Sequence, residues 1–122
     1  MTKSILSVDD SASMRQMVKL TLSSAGYEVM EAADGSEALA LARGRALNMV
    51  VTDLNMPVID GLALIRELRK LPAYKGVPIV FLTTETEEDK KRLAKDAGAT
   101  GWISKPFQQD QLLAVVRKVL GA

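Results

Sequence analysis

A few polar residues of this chain stand out as able to do chemistry. Asp9 and Asp10 sit side by side near the start, Asp53 stands mid-chain, Thr83 follows an apolar run, and Lys105 precedes Pro106. The chain has neither Cys nor His. Thiolate and imidazole chemistry are thereby excluded, and any metal must be held by oxygen. Three carboxylates brought together repel one another unless a cation compensates. Mg²⁺ suits such a set, since it needs one or two carboxylates with waters and phosphate oxygens. Lys105 and the Thr83 hydroxyl could then hold an anion beside the metal. Together these groups suit phosphoryl transfer: the metal and the ammonium neutralise charge on the phosphoryl oxygens, and Asp53 can act as the nucleophile.

Such residues can cooperate only if the fold gathers them. Short apolar runs alternate with amphipathic stretches, five of each. Ile5-Leu6-Ser7-Val8 reads as a buried strand ending at Asp9-Asp10. From Ser11 the pattern turns helical, with Met14, Met17, Val18, Thr21, Leu22 and Ala25 at i, i+3, i+4 spacing until Gly26. Tyr27 to Ala32 is a second strand. Asp34-Gly35-Ser36 is a turn and cap before a short helix ending near Gly44. Met49 to Thr52 is a third strand, followed by Asp53. Leu64, Ile65, Leu68 and Leu71 mark a third helix that Pro72 helps to end. Pro78 to Leu82 is a fourth strand, ending at Thr83. Residues 86–97 form a charged helix whose apolar residues are Leu93, Ala94 and Ala97, which predicts weak anchoring. Gly101 to Ser104 is a short fifth strand. Leu112, Val115, Val116, Val119 and Leu120 line the last helix.

This alternation predicts a parallel sheet covered on both faces, with right-handed crossovers. Ligand sites in such sheets lie outside the carboxyl ends of the strands. Asp9, Asp10, Asp53, Thr83 and Lys105 all follow strands, so all belong to that end.

The 122 residues read as one domain spanning 1–122, with a mostly aliphatic core: 48% of residues are hydrophobic and 4% aromatic. The net charge is +1, from 16 Lys+Arg and 15 Asp+Glu. That balance leaves no footprint for nucleic acid or an anionic membrane surface. No signal peptide or membrane span is legible, so a cytoplasmic location is expected.

The set Asp9-Asp10, Asp53 within Asp53-Leu54-Asn55-Met56-Pro57, Asp60-Gly61, Thr83 and Lys105-Pro106-Phe107 resembles the response regulator receiver domains of two-component systems. The resemblance covers essentially the whole chain, in order, and is closest to the single-domain, chemotaxis type. It implies a flavodoxin-like, doubly wound α/β fold with strand order 2-1-3-4-5, flanked by five helices. In that order strands one, three and four are neighbours, so their ends converge on one small patch.

The resemblance also implies roles. Asp53 would accept a phosphoryl group from the phosphohistidine of a histidine kinase or phosphotransfer protein. Asp10 and Asp53 would ligate Mg²⁺, with the Asn55 carbonyl as a third ligand and Asp9 acting mainly through water. Thr83 would move toward the phosphoryl group, Lys105 would pair with it, and the Lys105-Pro106 bond would be cis. Asn55 and Glu85 stand at positions that control attacking water, which implies a short-lived phosphoryl state. Trp102 matches the switch position where the family usually has Tyr or Phe. Its larger, N–H-bearing ring leaves open whether it swings inward. No effector domain follows Ala122 in this reading. Output is then expected through a downstream protein bound to the face made by helix four, strand five and helix five, with the receiver acting as a monomer. A phosphate-sink or relay role is the alternative output.

Plainer readings compete residue by residue. Asp9-Asp10-Ser11 could simply cap a helix, and Asp53 could open the turn before Pro57. Thr83 could be a strand-end hydroxyl bonded to backbone. Lys105-Pro106 could be an ordinary loop, and Asp60-Gly61 is a turn with no catalytic role. Three other classes share the fold or the groups. A small Mg²⁺-dependent phosphohydrolase needs a second Asp two residues after the first, where this chain has Ser11 or Ala12. A flavin-binding module wants a hydroxyl- and Gly-rich loop after strand one, where Asp9-Asp10 would repel phosphate. An unphosphorylated adaptor would have no use for the full acidic set.

Overall fold

The apolar runs become strands because both of their faces are covered. The computed structural model describes residues 3–54, 60–83 and 88–121. Five parallel strands, β1 (Ser4–Val8), β2 (Glu28–Ala32), β3 (Met49–Asp53), β4 (Ile79–Thr83) and β5 (Gly101–Ser104), pair in the order β2-β1-β3-β4-β5. Five helices alternate with them: α1 (Ala12–Ser24), α2 (Gly35–Gly44), α3 (Gly61–Lys70), α4 (Glu88–Ala97) and α5 (Gln109–Leu120). The fold class and strand order are those expected. Strand two starts one residue later than read, and the described part of helix four starts at Glu88.

Alternate residues of each strand feed two separate cores. Ile5, Met49, Val51, Val80, Leu82 and Ile103 pack with Val18 and Leu22 of α1 and Leu112 and Val116 of α5. Leu6, Val50, Ile79 and Phe81 pack with Ala38 and Leu39 of α2, Leu64, Ile65 and Leu68 of α3, and Ala94 of α4. Among the described residues of α4, Ala94 is fully buried and Ala97 packs partly buried against the same core, while Leu93 is left exposed.

Helix starts follow side-chain caps. Ser11 accepts from the Met14 amide at 3.3 Å, Asp34 from Glu37 at 2.8 Å and Asp60 from Ala63 at 2.8 Å. Beyond α3 the chain makes a single 3-10 turn, Pro72–Tyr74, that the sequence pattern did not announce. A buried hydroxyl and a partly buried guanidinium secure it. The Tyr74 hydroxyl shares its one proton between the carbonyls of Ala42 and Arg45, at 2.8 and 2.5 Å. The Arg69 guanidinium donates to the carbonyls of Tyr74 (2.5 Å), Val77 (2.7 Å) and Gly98 (2.8 Å), tying α3 to the segments that enter β4 and β5.

Candidate functional site

Parallel pairing carries the sheet register straight to the site. Val8 of β1 lies opposite Thr52 of β3, so Asp9 and Asp10 leave β1 beside Asp53, the last residue of β3. Thr83 ends β4 two strands away from β1, and Ser104 pairs with it on β5. The Lys105 amide then donates to the Thr83 carbonyl at 2.8 Å, which extends the ladder by one bond and delivers the lysine to the same end.

One carboxylate oxygen from each of Asp9, Asp10 and Asp53 lies within 4.8 Å of the others. Asp9 is 2% exposed and Asp53 6%, whereas Asp10 faces solvent. The Lys105 ammonium sits 3.3 Å from Asp9 Oδ2 and 3.5 Å from Asp53 Oδ1, with its side chain only 15% exposed. Two of the three carboxylates, those of Asp9 and Asp53, therefore share the Lys105 ammonium. Such a set of hard, anionic oxygens beside a half-open mouth fits a hard divalent cation, and nothing in it suits a soft one.

The plainer readings can now be weighed. The cap of α1 is Ser11, not either acid. Asp9 Oδ1 instead accepts from the Ser11 amide at 2.9 Å, which fixes its orientation. Asp10 makes no hydrogen bond or ion pair among the described residues, so no structural task accounts for its place beside two other acids. Asp53 is a buried strand end, and Thr83 is fully buried at the end of β4. The Lys105-Pro106 peptide is cis. Asn55 and Glu85 fall outside the described residues. Trp102 pairs in register with Phe81, and its ring stacks on Phe81 with centroids 6.1 Å apart at 24°. The indole is nevertheless 40% exposed, so it stands in an outward position.

Two supporting residues had no role in the sequence reading. Arg15 reaches back from α1 and donates to the Asp9 carbonyl at 2.6 Å, while its Nε lies 3.7 Å from Glu31. Gly61, read as part of a turn, opens α3 directly against the acidic strand end. A Cβ there would stand 2.4 Å from the Asp53 carbonyl oxygen and 2.6 Å from Leu54 Cα. A signal was available: glycine is a poor helix former, and here it occupies the first helical position behind its Asp60 cap.

Comparison with known proteins gives the same picture. Residues 5–117 match the family model of the response regulator receiver domain. The chain belongs to the response regulator receiver family. It is a CheY-like receiver of the two-component type. The chemotaxis protein CheY4 of Vibrio cholerae superposes with a TM-score of 0.95 at 48% identity, covering 98% of this chain and all of that one. Chemotaxis protein CheY1 of Helicobacter pylori is 40% identical over 96% of both chains. The receiver domain of sensor histidine kinase PA1611 from Pseudomonas aeruginosa, described with a magnesium ion coordinated in its active-site cleft, matches with a TM-score of 0.92 at 28% identity over the full length of both chains. Other receivers belong to larger proteins: the chain spans about half the length of the first curated relatives it matches, which are transcriptional regulators. Among the described residues no helix is long and apolar enough to cross a membrane.

Proposed function

We propose that this receiver takes a phosphoryl group onto Asp53 from a phosphohistidine and uses it to change its affinity for a protein partner. The observation that carries the proposal is the convergence of three carboxylates from two distant segments, 4.8 Å or less apart, with the Lys105 ammonium between two of them. Asp10, Asp53 and the Asn55 carbonyl would hold Mg²⁺, with Asp9 acting mainly through water. Bound there, the ion would supply charge neutralisation for the phosphoryl oxygens.

Asp53 is the acid placed to react. It ends a buried strand and faces the common mouth. Its carboxylate oxygen attacks phosphorus as the phosphorus–nitrogen bond to the donor imidazole breaks. The 122 residues carry no His, so the donor imidazole belongs to a histidine kinase or phosphotransfer protein. Lys105, already paired with the acids, stays within reach of the new phosphoryl oxygens and offsets their charge. Thr83, at the end of the neighbouring strand, can offer its hydroxyl once drawn inward. That movement shifts the segment after β4 and makes room near Trp102. The face of α4, β5 and α5 then alters its fit to a downstream protein, as a population shift between two states.

The chemotaxis relatives support a chemotaxis-type output over a sink or relay role, and we take the receiver to act as a cytoplasmic monomer on a motor-type partner. Asn55 and Glu85, at the positions governing attacking water, support a short lifetime ended by autodephosphorylation. The test is labelling by a small phosphodonor such as acetyl phosphate. Wild-type protein takes up one phosphoryl group with Mg²⁺ and none after chelation, and Asp53→Asn takes up none. Full labelling of Asp53→Asn refutes the assignment.

A further inference from the structure

The outward position of Trp102 has a specific neighbour. The Lys91 ammonium of α4 lies 5.0 Å from the centroid of the Trp102 ring. Lysine side chains normally extend their charge into water, yet that of Lys91 is only 16% exposed. Among the described residues its ion-pair partner is Glu88 at 4.0 Å, one helical turn away and 86% exposed, a pairing too solvated to hold it. The indole is the partner that accounts for its placement. The same ring leans on Phe81, which is fully buried, so Trp102 bridges the core and the α4 surface.

We propose that Lys91 is a positioning residue that latches Trp102 outward through a cation–π contact and so sets how readily the receiver switches. This rests on the reading of Trp102 as the switch residue. An inward-moving ring must leave the ammonium, and a cation must find water or Glu88 instead. At a partly exposed site such a contact biases the two positions by about fivefold. If the phosphoryl-binding state is the inward one, losing the latch raises its population and lowers the ligand concentration needed to reach it by about the same factor.

The experiment uses the full chain and the fluorescence of its single Trp. Beryllofluoride, a phosphoryl mimic, is titrated in the presence of Mg²⁺ into wild type, Lys91→Met and Lys91→Arg, with circular dichroism melts to establish that each variant is folded. Lys91→Met keeps the alkyl stem and removes the charge. It is expected to respond at about fivefold lower mimic concentration, and its indole in the mimic-free protein is expected to be less accessible to acrylamide. Lys91→Arg keeps a cation that stacks on indole and is expected to match wild type. A wild-type response with an unchanged Lys91→Met midpoint overturns the latch and leaves the switch reading intact. No wild-type response overturns both.

Discussion

Replacing Asp10 by Asn separates a cation site from a structural acid. Its carboxylate lies within 4.8 Å of those of Asp9 and Asp53, and it makes no hydrogen bond or ion pair among the described residues. Two like charges at about 4 Å repel by roughly 1 kcal/mol in water and roughly 4 kcal/mol at the effective dielectric of a protein surface. Asp10 is exposed, so the lower figure governs each of its two repulsions. Lys105, held by the other two acids at 3.3 and 3.5 Å, offsets part of the sum. Without divalent cation, Asp10→Asn is therefore expected to gain about 1 kcal/mol, a Tm rise of about 3–6 °C for a domain of this size. Mg²⁺ reverses the order. At one hundred times its Kd the ion stabilises the wild type by about 2.7 kcal/mol, and the variant, lacking a ligand, gains far less. Thermal melts at low ionic strength, with chelator and with Mg²⁺, give all four values. A lower Tm for Asp10→Asn in chelator, or an undiminished Mg²⁺ shift, would refute this electrostatic account.

Gly61→Ala puts a methyl 2.4 Å from the Asp53 carbonyl oxygen. Backbone cannot yield as a side-chain tip does, so a loss of about 1–3 kcal/mol in urea unfolding is expected, together with slower labelling by acetyl phosphate. Tyr74→Phe removes the hydroxyl's contacts with the Ala42 and Arg45 carbonyls, the first of them buried, with an expected loss of about 1–3 kcal/mol by the same assay. Burial holds the Tyr74 phenol above its ordinary value, against a smaller opposing effect of a backbone hydrogen bond at Leu47. Its folded-state value is raised, so the stability it contributes is fully present below about pH 10 and is lost as pH rises through the folded-state value. The stability gap between wild type and Tyr74→Phe is expected to narrow in that alkaline range and to stay constant at neutral pH.

Most of the fold was legible because both faces of each strand are buried. Runs such as Met49-Val50-Val51 and Ile79-Val80-Phe81-Leu82 are continuous rather than alternating, and in an alternating α/β chain that pattern signals a parallel sheet. The acids were legible as a group because each follows a strand, and parallel strands end together. The strand order came from family resemblance, since local patterns say nothing of which strands are neighbours. What escaped was tertiary. Gly61 looks like any turn glycine until α3 is seen against Asp53. Arg69 looks like a surface charge until its carbonyl partners arrive from the segments that lead into β4 and β5. The charged pattern of 86–97 offered Leu93, Ala94 and Ala97 as its apolar residues but did not say which of them is buried, and Ala94 is buried while Leu93 is exposed. The Lys91 contact with Trp102 joins two elements eleven positions apart in sequence, and no periodicity announces it.

The account turns on Asp53 as the residue esterified beside a bound divalent ion. Borohydride reduction of protein treated with acetyl phosphate and Mg²⁺, followed by peptide mapping, converts an acyl phosphate into homoserine at the residue that carried it. Homoserine at position 53, absent when Mg²⁺ is chelated, is the predicted result. Homoserine at position 9 or 10, or equal yield without Mg²⁺, contradicts it.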